Sequence, residues 1–161
     1  MRKKILFFDD EPFYVNLLID NLKLNHGWMA DKKGEIKFIS DYAEMIDEIN
    51  SINQYDLFVL DIMVSSIGIE EKDIFTTAEI RRIERDNNMG ILIAEKIRAI
   101  EKYKKTPIIF LSAKGIREIP SSLGAPIDYL TKPTHAPDLS KKMEEMLIND
   151  LNLIDGVYYA L

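Results

Sequence analysis

The sequence predicts a doubly wound α/β domain: a five-stranded parallel sheet in the order 2-1-3-4-5, flanked by about five helices. Three observations predict it. Short apolar runs are continuous rather than alternating, as in strands covered on both faces. Stripes with helical spacing fall between those runs. The residues with chemical potential follow the carboxyl ends of the runs, which is the ligand-binding edge of an open α/β sheet.

The first run is Ile5-Leu6-Phe7-Phe8, and Val15, Leu18, Ile19 and Leu22 then recur at i, i+3, i+4 and i+7, predicting the first helix. The mixed run Ile36-Lys37-Phe38-Ile39 reads as an edge strand. Tyr42, Met45, Ile46 and Ile49 mark the second helix, and Leu57-Phe58-Val59-Leu60 the third strand. Residues 64–89 come next, 26 residues where a strand-to-helix loop usually takes about 2–6. A helix from Thr77, carrying Ile80 and Ile83 among charged neighbours, makes this an inserted surface element rather than a linker between domains. Arg82 and Asp86 stand at i, i+4, the spacing of an ion pair. Ile93, Ile97 and Ile100 mark the next helix and Ile108-Ile109-Phe110-Leu111 the fourth strand. The weakest helix signal is in 114–123, which contains Pro120 and is followed by Gly124. The fifth strand, 127–130, leads to a last helix with Leu139, Met143, Met146 and Leu147 on one stripe. The domain is expected over 1–148, with a C-terminal tail at 149–161.

A chain of 161 residues with 47% hydrophobic and 30% charged side chains has the length and composition of one folded domain. The absence of cysteine excludes disulfides, thiolate catalysis and Cys-ligated metals. Lys and Arg number 21 against 27 Asp and Glu, a net charge of −6 with no long basic run, which argues against nucleic acid as a partner. No run approaches the ~20 apolar residues of a membrane span, and the basic start leads into too short an apolar stretch for a secretory signal. A soluble, cytoplasmic protein is expected.

The residues after each strand converge on one chemistry. Asp9, Asp10 and Glu11 follow the first run, Asp61 the third, Ser112 the fourth, and Thr131-Lys132-Pro133 the fifth. In the order 2-1-3-4-5 the first and third strands are neighbours, so Asp9, Asp10 and Asp61 meet across the switch point. Singly, each has a plain structural use: a helix start before Pro12, a turn residue, an N-cap at Ser112. Together they form a site. Clustered carboxylates repel one another unless a cation neutralises them, and an all-oxygen set suits Mg²⁺. A carboxylate beside Mg²⁺ can take a phosphoryl group, whose three equatorial oxygens would meet the ion, Lys132, and the Ser112 hydroxyl or a backbone N–H.

Four motifs carry a family resemblance: Lys4-Ile-Leu-Phe-Phe-Asp9-Asp10-Glu11-Pro12, Tyr55-Asp-Leu-Phe-Val-Leu-Asp61-Ile-Met63, Thr106-Pro-Ile-Ile-Phe-Leu-Ser112-Ala113 and Asp128-Tyr129-Leu-Thr-Lys132-Pro133. In their order and approximate spacing they resemble the receiver domain of two-component response regulators, the CheY-like form of the flavodoxin fold. The resemblance implies that Asp61 is the phosphoacceptor, charged by a phosphohistidine on a sensor histidine kinase or phosphotransfer protein. It implies that Asp9, Asp10 and Asp61 hold Mg²⁺ with the backbone carbonyl of Met63. It makes Ser112 the switch hydroxyl, Tyr129 the aromatic that turns inward with it, Lys132 the phosphoryl partner, and the Lys132-Pro133 bond cis. Such a protein is a phosphoacceptor switch without a turnover substrate. Its output passes to a downstream protein or a homodimer through the face formed by segment 114–124, the fifth strand and the last helix. The chain departs from the family pattern at Ser65, where a proline is usual, and at Gly90, which follows the long insert.

Two other readings use the same residues. A pseudo-receiver would keep the fold as a phosphorylation-independent scaffold. A Mg²⁺-dependent phosphohydrolase of the haloacid-dehalogenase type would place its nucleophile in an Asp-x-Asp motif, whereas Asp9 and Asp10 are adjacent.

Overall fold

The computed structural model describes residues 2–62, 75–86, 88–113, 119–124 and 126–154, with the side chains of 84–86 and 149–154 outside that description. Five parallel strands, β1 (Lys3–Phe8), β2 (Gly34–Ile39), β3 (Leu57–Asp61), β4 (Ile108–Ser112) and β5 (Ile127–Thr131), form one sheet in the order β2-β1-β3-β4-β5. The helices are α1 (Pro12–His26), α2 (Tyr42–Asn50), α3 (Thr77–Asp86), α4 (Met89–Ala99) and α5 (Ala136–Ile154). This is the predicted doubly wound architecture.

Continuous apolarity in the strands follows from the two-residue pleat. Leu6, Phe8, Phe58, Leu60, Ile108 and Phe110 face one layer, packed with α2, α3 and α4. The alternate residues Ile5, Phe7, Leu57, Val59, Ile109 and Leu111 face α1 and α5 on the other side. Trp28, at the corner after α1, is buried in that second layer, and its indole N–H donates to Ser140 Oγ at 2.8 Å. The mixed run of β2 lies at one sheet edge, as its composition predicts.

Three sequence expectations change, and a fourth gains a partner. The third apolar helix stripe extends to Ile100, but α4 stops at Ala99: Ile100 is extended and precedes a 3-10 turn at Glu101–Tyr103. The described part of segment 114–123 holds a 3-10 turn, Ser121–Leu123, after Pro120, which lacks the amide that a helix interior needs. The helix expected to end near 148 continues to Ile154, so the first part of the 149–161 tail is helical and 155–161 lies outside the described residues. Arg82 forms a bidentate pair with Glu95 of α4, at 2.7 and 2.8 Å, because α3 lies against that helix; the pairing proposed with Asp86 falls outside the described side chains.

The insert is joined to the domain by more than that pair. Phase-matched Ile80 and Ile83 pack into the α2/α4 layer, Phe75 stacks on Tyr42 with centroids 4.1 Å apart, and Lys96 reaches Glu79 at 3.1 Å. Thr76 caps α3 reciprocally: its hydroxyl accepts from the Glu79 amide, and its own amide donates to the Glu79 carboxylate.

Candidate functional site

Register delivers the acidic cluster. Phe8 pairs with Leu60, so one residue further Asp9 comes level with Asp61 at the carboxyl end of neighbouring strands. Asp9 also continues the sheet, its amide donating to Ile39 O at 3.3 Å. Its side chain closes a turn by accepting from the Glu11 amide at 2.9 Å, and Pro12 then starts α1. Carboxylate oxygens of Asp9, Asp10 and Asp61 all lie within 4.8 Å of one another, with Asp9 and Asp61 buried and Asp10 half-buried.

Lys132 enters this cluster from the end of β5. Ser112 pairs with Thr131, and the Lys132 amide donates to Ser112 O at 2.7 Å, which directs the next side chain over the sheet edge. The ammonium is 2.7 Å from Asp9 Oδ2 and 3.3 Å from Asp61 Oδ2. The Lys132-Pro133 peptide is cis, as the resemblance implies. Ser112 is buried at the end of β4, while the Tyr129 ring is half exposed on β5. Met63, expected to offer a carbonyl, and Ser65 lie outside the described residues.

Burial raises the pKa of Asp9, helped by the nearby charge of Asp10 and only partly offset by the Lys132 bond and the Glu11 amide. Burial alone would lower Lys132, but the Asp9 bond and the charges of Asp61 and Asp9 outweigh it and raise its pKa. Lys132 is therefore an ammonium held between two carboxylates. The three carboxylates still exceed its single charge, and this surplus in an all-oxygen donor set fits a hard divalent cation such as Mg²⁺.

The sequence marks Gly90 only as a glycine displaced by the insert and does not single out Tyr14. Gly90, in the first turn of α4, lies flush on the backbone after β3: a Cβ there would come 2.0 Å from Asp61 O, and its amide donates to Ile62 O at 3.2 Å. Tyr14 touches the Lys132 loop from α1. The only sequence signal for either is position, a glycine at a helix start and an aromatic one turn past Asp10.

Comparison with known proteins places the fold in a family. A chemotaxis protein CheY homolog from Campylobacter jejuni is 31% identical over 94 residues, which cover 54% of this chain and 72% of that protein. The chain belongs to the CheY-like receiver family. A CheY-like response regulator receiver domain protein from Methanospirillum hungatei shares the fold, with a TM-score of 0.67 at 18% identity, covering 94% of this chain and 98% of that one. The receiver domain of a sensor histidine kinase from Pseudomonas aeruginosa does so with a TM-score of 0.61 at 18% identity, covering 91% and 98%, and it carries a magnesium ion coordinated in its active-site cleft. No family model matches the chain. As a receiver it belongs among two-component response-regulator proteins, and among the described residues no helix is long and apolar enough to cross a membrane.

Proposed function

We propose that this receiver is a phosphorylation-controlled interaction switch with Asp61 as its acceptor. The observation that carries the reading is the buried Asp61 carboxylate, clustered with Asp9 and Asp10 and 3.3 Å from the Lys132 ammonium. In the transfer an Asp61 oxygen bonds to phosphorus as the P–N bond of a phosphohistidine breaks, and the electron pair leaves with the donor imidazole, which keeps a proton. Asp9, Asp10 and Asp61 would hold Mg²⁺, with Met63 O as a further ligand; the ion supplies charge neutralisation on the phosphoryl oxygens. Lys132 exchanges its Asp61 contact for a phosphoryl oxygen, and the Ser112 hydroxyl donates to another. Tyr129, now outward, turns in as Ser112 moves, which remodels the face around 119–124, β5 and α5. The donor is a sensor histidine kinase or phosphotransfer protein. The output is a partner protein or a second copy, in the cytoplasm. One phosphoryl group is taken up and later lost to water, so the protein is a switch and not an enzyme with a turnover substrate.

Intact-mass spectrometry after incubation with Mg²⁺ and acetyl phosphate tests this. One added phosphoryl group, absent in Asp61→Asn and in chelator, is expected. Equal labelling of Asp61→Asn would sink the acceptor assignment. No labelling together with no Mg²⁺ binding would leave the scaffold reading in its place.

A further inference from the structure

The lysine at the site has a neighbour that the acidic cluster does not explain. Tyr14 sits in the first turn of α1, one turn before buried Leu18 and so on the same face at the site end. Its hydroxyl accepts from the Thr134 amide at 3.0 Å and lies 3.5 Å from Thr134 O, bridging 120 residues of sequence to the turn that follows Lys132-Pro133. Its ring lies under the Lys132 side chain, 5.4 Å from Nζ to the centroid. One side chain thus holds both the turn from which Lys132 springs and the ammonium itself.

We infer that Tyr14 is a positioning residue for Lys132, setting the ammonium where it meets a phosphoryl group on Asp61. The inference rests on the phosphoacceptor reading above. An aromatic face suits the task because it attracts the cation without competing for its hydrogen bonds, as a third carboxylate would. Lys132 has three N–H donors, and the ring leaves all of them for oxygen. The hydroxyl does a separate job. The Thr134 amide, in a residue 9% exposed, needs an acceptor, and Tyr14 supplies one from a different element, tying α1 to the β5–α5 turn. A long side chain with four rotatable bonds otherwise spreads over many rotamers, and each misplaced conformer is one in which the phosphoryl oxygen goes unmet.

The test compares Tyr14→Phe, which keeps the ring, with Tyr14→Leu, which removes both ring and hydroxyl. Three readouts are used: the initial rate of labelling by acetyl phosphate, the affinity for beryllofluoride as a phosphoryl mimic, and the ring-current shift of the Lys132 ε-methylene in NMR spectra. Tyr14→Leu is expected to lose the shift and to weaken beryllofluoride binding and labelling roughly 10-fold, while Mg²⁺ affinity stays within about two-fold. Tyr14→Phe keeps the shift and loses about three-fold, the share of the Thr134 anchor. A merely structural tyrosine would lower the melting temperature and Mg²⁺ affinity without a selective loss of beryllofluoride binding, and that pattern overturns the proposal. So does wild-type behaviour of Tyr14→Leu. If the unsubstituted chain takes up no phosphoryl group, the acceptor reading itself fails and the positioning role goes with it; the Lys132 shift then reports the contact alone.

Discussion

Replacing Gly90 with alanine sets two opposing effects against each other, and the structure decides between them. Ala is the better helix former by about 1 kcal/mol in a helix interior, so α4 taken alone would gain from the change. The new Cβ, however, would lie 2.0 Å from Asp61 O, 2.7 Å from Asp61 C and 2.7 Å from Ile62 Cα. All three are backbone atoms of the central strand end, which cannot swing aside as a side-chain tip does. Relief requires α4 to retreat by roughly 1 Å, which stretches the bond from the Gly90 amide to Ile62 O, now 3.2 Å. Overpacking of this kind costs about 1–3 kcal/mol and a lost hydrogen bond about 1 kcal/mol more. The net expectation is a destabilisation of about 1–3 kcal/mol, a fall in Tm of roughly 2–12 °C for a chain of this size.

Thermal unfolding followed by circular dichroism reads this directly, with Gly124→Ala as the comparison. Gly124 has φ +66° and ψ −169°, a conformation essentially confined to glycine, and nothing within 4 Å of its Cβ position, so that variant suffers backbone strain of about 1–3 kcal/mol without a clash. Because the Gly90 clash is with the carbonyl of Asp61, the proposed acceptor, Gly90→Ala is also expected to label more slowly when measured well below its melting point. A Gly90→Ala protein as stable as the unsubstituted one, or more stable, would refute the close approach of α4 to Asp61.

Three further outcomes follow from the acidic cluster and from Arg98. Mg²⁺ at about 100 times its Kd should stabilise the fold by about 2.7 kcal/mol, and chelation should reverse this. The native state holds a proton on Asp9 more tightly than the unfolded chain does, so in the metal-free protein the Asp9 contribution is greatest at low pH and declines as pH rises past 3.8 through the raised native value. Melting curves with and without Mg²⁺ should therefore diverge as pH increases; a gap that stays constant from about pH 4 to about pH 7 would exclude Asp9 as a ligand. Arg98→Met should cost about 2–4 kcal/mol in urea unfolding, because the half-buried guanidinium donates to Leu123 O, Tyr103 O and Thr106 O at 2.8, 2.8 and 2.7 Å, and those carbonyls would lose their donor. A loss below about 1 kcal/mol would mean that water replaces it.

What was legible in the sequence was what periodicity or strand-end position encodes. Leu57-Phe58-Val59-Leu60 could announce a central strand because both faces are covered, and its apolar continuity follows directly from that burial. Asp9, Asp61 and Lys132 were legible as a group because parallel strands end at one edge, which turns distant positions into neighbours. Contacts that cross between elements without a repeat were not. Arg98 looks like a solvated helix charge, yet its carbonyl partners lie in connecting segments and their 3-10 turns, 5 to 25 residues away, where no residue type marks them. Arg82 offered an intrahelical candidate at i, i+4, and its partner Glu95 became visible only once α3 was laid on α4. Tyr14 reads as one more aromatic beside the core, and its hydroxyl partner is a backbone amide that has no sequence signature.

The insert shows how far such cross-element contacts alter a reading. By length and charge, 64–89 is a surface decoration, and Arg81 is indeed exposed. Yet Phe75 and Ile83 are as buried as strand residues, and they fill the same layer as Met45, Leu92 and Phe110. Deleting α3 would bare this layer and strand Glu95 and Lys96, whose partners Arg82 and Glu79 belong to α3. The two ion pairs alone, about one-third exposed, contribute little, so the apolar contacts are what hold the helix. α4 is therefore clasped from both sides: by α3 through this apolar seam, and by the Asp61–Ile62 backbone through Gly90. The long connection that begins beside Asp61 thus carries a helix that is part of the core layer.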